Sequence, residues 1–433
     1  MKISIIIPTW NQWQATLACL KSVKAYSGEA KSLGCELEVI VVGCGANEAT
    51  TKEFMPLGTG LFGQNFTHLR LPINTSFAAA CNQGAAYATG QVLFFLSCMA
   101  ELTEGWLTPL MTRICDGNEH GIHPKMGALA PLTVYKEDGI AGNTGRVHHC
   151  GIAFTPSLQP QNIYAQFPED HPAVHAKHDV QALSGIALMV TIAAFKQCGG
   201  FHQGYEGTNP NPADIELCCR LRDNGFTLHM VTESRVLFTE EMRVTKAQKD
   251  QDATNANMLT TRCSGAFRPD MHTMALHDGF AVALTPWLGI YITMAPEQDA
   301  ALTEQNLDVF DMAICWETLN REPLWQGGYQ IMCAMLEDAH MFAQSTGLRL
   351  LQTAFFPAMP HYRLLAQTAA QAGHDDLAQK AHAEVERLGH MLEDIDFLIN
   401  KARKLAQWGH QAGDAVIESL YIGWLTDLGL SVE

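Results

Sequence analysis

The sequence predicts an α/β domain whose mostly parallel sheet is flanked by helices, followed by an all-α domain. In the first half, three short apolar runs are closed by Pro, Gly or Ser, as buried parallel strands are: Ile5–Ile7, Val39–Val42 and Val92–Leu96. Amphipathic segments with helical spacing lie between them, at Gln14–Tyr26 and Phe77–Thr89. This alternation is typical of a parallel sheet, in which a ligand binds at the carboxyl ends of the strands.

The second half carries a different pattern, with apolar residues at three- and four-residue intervals from about residue 300 onward. Four helical segments are predicted there: Leu324–Gln344, His361–Ala372, Asp375–His410 and Gly413–Leu428. Three glycines predict turns or helix ends: Gly347, Gly373 and Gly413. The segment Pro360–Leu388 resembles one tetratricopeptide-type helical hairpin, and a plain helical bundle is an equally good interpretation.

The domain boundary is predicted between about residues 240 and 300. Lys246–Asn257 is polar and charged and lacks large apolar residues, which favours a loop. We therefore expect three parts along the chain: an α/β domain at 1–245, a connecting segment at 246–299 and a helical domain at 300–433.

Composition restricts the function classes open to this chain of 433 residues. Its formal net charge is −17 and it has no run of Lys or Arg, which argues against binding of nucleic acid or of an anionic membrane surface. Neither of its long uncharged stretches, Leu71–Ala100 and Gly279–Pro296, has the unbroken apolar character of a membrane span. The thirteen cysteines form no C-x-x-C pair, and we expect them to be reduced core residues of a cytoplasmic protein.

Seven segments of residues 1–245 carry a family resemblance in collinear order. They are Ile5–Asn11, Val39–Val42, Leu71–Gly84, Val92–Leu107, Leu183–Val190, Cys198–Phe201 and Ala213–Gly225. The third contains Asn-Thr-Ser-Phe-Ala-Ala-Ala-Cys-Asn-Gln-Gly from Asn74, and the last contains Asp-Ile-Glu-Leu-Cys-Cys-Arg from Asp214. Together these segments resemble the family 2 glycosyltransferases of GT-A fold.

The resemblance implies an enzyme that takes a nucleotide-diphosphate sugar as donor, with a divalent cation such as Mn²⁺ or Mg²⁺ on the diphosphate. Asp214 aligns with the catalytic base, which removes a proton from the acceptor hydroxyl as that oxygen attacks C1 with inversion. The positions that align with nucleotide-sugar contacts are Pro8, Thr9, Asn11, Cys44, Asn74, Ala78, Asn82, Cys98 and Gly185.

Four polar positions of the family pattern are replaced in this chain, and most of them serve nucleotide or metal binding. Gly43 stands where an Asp usually holds the base, and Met99 where the central Asp of the metal motif is expected. Phe238 replaces the later metal-binding His, and Ala213 the first acid of the last motif. A thioether is a poor ligand for Mg²⁺ or Mn²⁺. Glu101 is left as the metal candidate, and we expect a metal-independent enzyme or an atypical metal site.

Two of these residues have a structural interpretation as well. Asp214 follows Pro212 at a helix start, where a carboxylate caps backbone N–H groups, so base and cap are both open. Glu101 lies in a turn into a helix, and a role in that turn competes with metal binding. Arg220 and Arg222 are expected to be solvated or ion-paired rather than bound to a diphosphate.

Histidines cluster at His148 and His149 and again at His171, His175 and His178. The spacing of four between the first two of the second group would suit a zinc site on one helix face. The prolines around them predict an irregular loop instead, so contact with an acceptor molecule is the favoured role.

Three functions are compatible with these observations. The first is an inverting glycosyltransferase that acts on a glycan, a lipid-linked oligosaccharide or a protein. The second is a catalytically inactive pseudo-glycosyltransferase that serves as a binding scaffold. The third is a glycan-binding module in which Trp10, Trp13 or Trp106 stacks on sugars. The helical half predicts a protein partner or self-association.

Overall fold

The computed structural model describes residues 1–46, 48–116, 118, 121–136, 145–209, 212–239, 246–307 and 311–430. Its strands are β1 Lys2–Thr9, β2 Glu36–Cys44, β3 Phe66–Leu71, β4 Val92–Leu96, β5 Ala100–Leu102, β6 Met126–Tyr135, β7 Val147–His149, β8 Ile152–Phe154, β9 Pro160–Asn162, β10 Ala187–Thr191, β11 Thr227–Phe238, β12 Ala281–Leu284 and β13 Ile290–Thr293. Its α-helices are α1 Trp13–Ala25, α2 Ser27–Ser32, α3 Glu48–Phe62, α4 Phe77–Tyr87, α5 Leu107–Cys115, α6 Ile192–Gln197, α7 Ala213–Asp223, α8 Lys246–Arg262, α9 Met271–His277, α10 Pro296–Leu307, α11 Met312–Arg321, α12 Gln326–Asp338, α13 Phe342–Phe355, α14 Met359–Gln371, α15 Asp375–Glu393, α16 Ile395–Ala412 and α17 Ala415–Asp427. The predicted α/β domain and the all-α region after it are both confirmed.

Nine of the described strands form one sheet in the order β3-β2-β1-β4-β10-β6-β11-β5, with β7 paired to β6. Strands β3, β2, β1 and β4 are parallel, whereas β10 runs antiparallel to both β4 and β6. The sheet is mixed, but six of its nine strands run in the same direction, so the predicted mostly parallel sheet is confirmed; these six are β1, β2, β3, β4, β6 and β11. The reversal arises because Ala187, the first residue of β10, pairs with Leu96, the last of β4. The chain thus enters the sheet from the carboxyl ends of the parallel strands.

Alternation along the central strands divides the apolar residues between two buried faces. Ile5 belongs to the same buried cluster as Leu20 of α1 and Leu110 of α5, on one side of the sheet. Ile6 packs with Cys81 of α4, on the other side. Because helices cover both faces, each strand is apolar at consecutive positions, which explains the continuous runs in the sequence.

The carboxyl-terminal helices share an apolar core with the α/β domain. Tyr164 and Phe167 belong to the same cluster as Trp325 and Tyr421. The rings of Phe167 and Phe355 meet edge to face, with centroids 5.6 Å apart. The helical half is therefore packed against the α/β domain, and the division into three parts stays a prediction.

The prediction of a loop at Lys246–Asn257 is wrong, since these residues form most of helix α8. Their polar composition hides the helix, and apolar contacts lie only near its end: Leu259 packs into the core that includes α7, as does Cys263 just after the helix. Helix formation here depends on docking rather than on an amphipathic pattern.

Helix ends in the second half are partly as predicted. Gly373 and Gly413 adopt positive φ and end α14 and α16, whereas Gly347 is buried inside α13 and marks no turn. The single helix predicted over Asp375–His410 is two helices. It breaks at Asp394, whose carboxylate accepts the N–H of Phe397 and so starts α16. Helices α14 and α15 form the predicted hairpin, and its tetratricopeptide character stays a prediction.

All thirteen cysteines are free thiols, and most are buried, as expected for core residues. Among the described residues, no helix combines the length and the apolar character that crossing a bilayer requires.

Candidate functional site

The loops that follow β1, β3 and β4 meet at one edge of the sheet. The Gln12 amide oxygen accepts the backbone N–H of Trp10 at 2.9 Å and the Cys98 thiol at 3.7 Å. The indole N–H of Trp10 donates to the carbonyl of Thr75 at 2.9 Å. We call this edge, with Gln12, Cys44, Thr75 and Cys98, the strand-end site. It is where an open α/β sheet binds its ligand.

Most of the residues predicted to contact a nucleotide sugar lie around the strand-end site. Asn11 and Asn74 are exposed there, and Asn11 has a positive φ of 67°. Burial raises the pKa of the Cys44 thiol to about 12, so this group is neutral. Three more of the predicted residues at this site are buried: Pro8, Thr9 and Cys98. Contact with a nucleotide sugar stays a prediction for all of them.

Asn82 has a structural partner on the adjacent turn. Its amide donates to the carbonyl of Phe201 at 2.7 Å and accepts the N–H of the same residue at 2.9 Å. Asn82 thus fixes the Gly-Gly-Phe turn to helix α4, on which Ala78 is buried. This two-way bond gives Asn82 a role in the fold whether or not a ligand binds.

Asp214 lies in the first turn of α7 and is almost fully buried, with 1% of its surface exposed. Its carboxylate accepts the N–H of Gly185 at 2.7 Å and the N–H of Ile215 at 2.7 Å. Burial raises its pKa to about 6, against the lowering effect of these bonds. Helix α7 has no side-chain cap hydrogen bond, and the second bond goes to the next residue, so it is not a cap; the raised pKa is that of a general base near neutral pH.

Two groups hold the loop that contains Gly185. Asp214 binds the Gly185 N–H, and the His149 Nε2 atom accepts the N–H of Ser184 at 3.2 Å. His149 is neutral, because burial lowers its pKa to about 4, and its Nδ1–H donates to Asn162 at 3.0 Å. The loop continues to the strand-end site, since the carbonyl of Ile186 accepts the N–H of Ser97 at 2.7 Å.

Glu216, two residues beyond Asp214 in α7, is the centre of an ion-pair network. Its carboxylate is bound by Arg220 at 2.6 Å and by Arg262 of α8 at 2.8 Å. Arg220 also donates to the carbonyls of Cys198 and Gly200. The expectation that Arg220 is ion-paired is borne out by these contacts. Arg262 was not predicted, because nothing local to its sequence indicates a partner 46 residues earlier.

Residues 97–101 do not fit a site for Mn²⁺ or Mg²⁺, which require hard oxygen ligands. Met99 offers a thioether, and the Glu101 carboxylate is bound by the Lys136 ammonium at 2.5 Å. Phe238, where the family has a metal-binding His, packs against His148 with centroids 4.6 Å apart. None of these three side chains therefore offers a hard oxygen that is not already ion-paired. Metal binding by Glu101 stays a prediction without support here.

The second group of histidines does not form the helical zinc site that its spacing would allow. His171 packs its ring on Phe280, and His175 lies exposed, with its ring nitrogens on Thr232 and on the Glu169 carbonyl. His178 instead reaches Asp278, a residue that sequence reasoning missed.

Comparisons with known proteins agree with the resemblance over the first part of the chain. Residues 4–127 match the family model described as Glycosyl transferase family 2. A curated Drosophila melanogaster protein named "Putative polypeptide N-acetylgalactosaminyltransferase 13" is 30% identical over 84 residues. That alignment covers 18% of this chain and 15% of the relative, so the chain spans only a small part of that relative's length.

Three solved structures are similar to the chain. GalNAc-T7 with UDP, GalNAc and Mn²⁺ has a TM-score of 0.46 at 17% identity, covering 59% of this chain and 48% of its own. The mannosyltransferase PcManGT from Pyrobaculum calidifontis, in complex with GDP-Man and Mn²⁺, has a TM-score of 0.38 at 13% identity, covering 88% and 84%. TarS 1-349 of S. aureus has a TM-score of 0.41 at 13% identity, covering 90% and 92%. With TM-scores below 0.5, these likenesses say nothing about what this chain binds or transfers.

The family match runs from β1 to the start of β6, which includes all four residues of the strand-end site but not Asp214. It shows a likeness between this first part of the chain and the family 2 glycosyltransferases.

Proposed function

We propose that the chain is an inverting glycosyltransferase that moves a sugar from a nucleotide-diphosphate donor to a hydroxyl group of a glycan, lipid-linked or protein acceptor. The observation that carries the proposal is a continuous set of contacts from Asp214, through Gly185 and Ile186, to Ser97 at the strand-end site. A carboxylate with a pKa of about 6 is thereby tied to the edge where the donor would bind.

The chemistry assigned to Asp214 is general-base catalysis. Its carboxylate takes the proton of the acceptor hydroxyl while that oxygen forms a bond to C1 of the sugar. The bond from C1 to the diphosphate breaks on the opposite face, and the nucleoside diphosphate leaves with the electron pair. A base with a pKa near 6 is mostly ionised at neutral pH and still has useful proton affinity.

The negative charge of the leaving diphosphate needs compensation that residues 97–101 do not offer. Arg70 lies one residue before the end of β3 and pairs with Gly43 of β2. Its guanidinium is exposed and donates to the carbonyl of Ala46 at 3.2 Å. We propose that Arg70 contacts the diphosphate, in place of a hard divalent cation.

A catalytically inactive binding scaffold is the second candidate, and one observation favours it. Asp214 is 1% exposed, and both of its oxygens accept backbone N–H bonds. An acceptor hydroxyl reaches this carboxylate only if the Gly185 loop moves. In a scaffold, the same contacts would serve only to hold the loop.

The deciding experiment separates donor binding from turnover. The full chain is heated with UDP-GalNAc, UDP-GlcNAc or GDP-mannose, each with Mn²⁺ or with EDTA, and nucleoside diphosphate release is assayed in parallel. If the chain is an enzyme, one donor should raise the melting temperature, because a ligand bound only to the folded state stabilises that state. Release of nucleoside diphosphate should then continue in EDTA. Asp214→Asn should abolish release and keep the donor-induced shift, whereas the control Asp223→Asn, at the exposed end of the same helix, should keep both. The scaffold predicts neither shift nor release with any donor.

A further inference from the structure

His178, His277 and Asp278 bring three metal-ligand atoms together, away from residues 97–101. The His178 Nε2 atom lies 2.8 Å from one Asp278 oxygen, and the His277 Nδ1 atom lies 3.0 Å from the other. All three ligand atoms lie within 4.8 Å of one another. Ligands of a tetrahedral Zn²⁺ ion are roughly 3.3 Å apart, given Zn–N and Zn–O bonds of about 2 Å. Small movements would therefore bring these atoms into a coordination sphere.

The carboxylate of Asp278 is buried and faces both imidazoles. Its side chain is 6% exposed, and its ion-pair partners among the described residues are these two histidines. The hydroxyl of Tyr164 also donates to it. Such an outer hydrogen bond is typical of metal-ligating carboxylates, whose orientation it fixes.

We propose that His178, His277 and Asp278 form a binding site for one Zn²⁺ ion, with Tyr164 as the outer partner of the carboxylate. Two imidazoles and one carboxylate are a common set of three protein ligands for zinc, and a water molecule completes the tetrahedron. The ring of His277 is 73% exposed, which leaves that fourth position open to solvent. Mn²⁺ and Mg²⁺ are poorly matched to this set, because imidazole favours zinc and its neighbours.

The ion would join two parts of the chain that are far apart in sequence. His178 belongs to the loop before β10, the loop that continues to Gly185, whereas His277 and Asp278 end helix α9. A bond from each to one ion fixes α9 against the loop, and so stabilises the folded chain. This inference does not depend on glycosyltransferase activity.

The test uses the full chain, stripped with EDTA, dialysed and titrated with Zn²⁺ against a chromophoric chelator. We expect one ion per chain, a rise in melting temperature, and visible absorption bands of low-symmetry Co²⁺ when cobalt replaces zinc. His277→Ala should abolish the stoichiometric binding, the rise in melting temperature and the cobalt bands. Because the ring of His277 is exposed, this variant should fold, and circular dichroism checks that it does. Tyr164→Phe should weaken binding roughly 10- to 100-fold.

His175→Ala is the matched control, since this exposed ring lies in the same loop and faces Thr232 instead. It should bind zinc as the unaltered chain does. The proposal is overturned if the unaltered chain takes up no stoichiometric zinc. It is also overturned if His277→Ala binds as tightly as the unaltered chain, or if His175→Ala loses binding to the same extent.

Discussion

The Asp214 carboxylate accepts the backbone N–H of Gly185 at 2.7 Å, which joins helix α7 to the loop that enters β10. Burial outweighs the effect of this bond and of the Ile215 bond, so the pKa rises from the ordinary 3.8 to about 6. The cap interpretation of Asp214 from the sequence is wrong, because α7 has no side-chain cap hydrogen bond. Its pKa is that of a base, and general-base catalysis stays a prediction.

Asp214→Asn should remove one contribution to the pH dependence of stability. The raised pKa means that the folded chain binds this proton more tightly than the unfolded chain does. The free energy of unfolding contributed by Asp214 is therefore greatest below pH 3.8 and falls as pH rises to about 6, by up to about 3 kcal/mol. Urea denaturation across this interval, on both proteins, measures the difference. A difference that stays constant or grows with pH would contradict the prediction.

His148→Phe should make the protein more resistant to acid. The imidazole packs between Tyr135 and Phe238, and its Nδ1 atom has no hydrogen-bond partner among the described residues. Burial lowers the pKa of His148 to about 3, so below pH 6.5 the unfolded chain binds a proton that the folded chain does not bind. Stability is thus lost as pH falls from 6.5 towards 3. The Phe side chain binds no proton, so the melting temperature of the His148→Phe protein should fall less over this pH range than that of the unaltered protein. An equal fall in the two proteins would contradict this prediction.

Sequence patterns predicted the sheet well because its strands are buried on both faces. Val92–Leu96 is strand β4 with the same bounds, and Ile5–Ile7 lies inside the longer strand β1, Lys2–Thr9. Helix α8 was missed because its stability comes from contacts made elsewhere in the chain, such as the bond from Arg262 to Glu216. Local pattern carries no information about such partners.

The site was predictable only where a family motif marks it. Asp214 was identified in that way, but its bond to Gly185 was not, since 29 residues separate the two. In the same way, Lys136 lies just after β6 and binds Glu101, which is 35 residues earlier in the chain. Residues brought together by the sheet leave no joint signal in a single sequence.

Arg262→Ala should destabilise the fold by roughly 1.5–3 kcal/mol, the usual cost of losing a hydrogen bond to a charged group. The Glu216 carboxylate that it binds has only 2% of its side chain exposed, so water cannot replace the lost partner. Arg220 stays in place and keeps the cost below that of an unpaired buried charge. The midpoint of urea denaturation measures the effect.

Arg268→Ala is the matched control for this prediction. Its guanidinium is 62% exposed and its partner Asp179 is 92% exposed, at 3.5 Å. An exposed pair of this kind contributes about 0–1 kcal/mol. Equal losses in the two variants would show that the network around Glu216 has no special importance for stability.

Gly84→Ala and Gly389→Ala should change stability in opposite directions, although both place alanine inside a helix. A Cβ atom at Gly84 of α4 would lie 2.4 Å from the Ile6 side chain of β1, so the helix must move away from the sheet, at a cost of about 1–3 kcal/mol. At Gly389 of α15 a Cβ atom meets nothing within 4 Å. The remaining effect is the higher helix propensity of alanine, which should raise the free energy of unfolding by up to about 1 kcal/mol. Thermal unfolding of both variants is the measurement, and a stabilised Gly84→Ala protein would mean that α4 does not pack on β1 this closely.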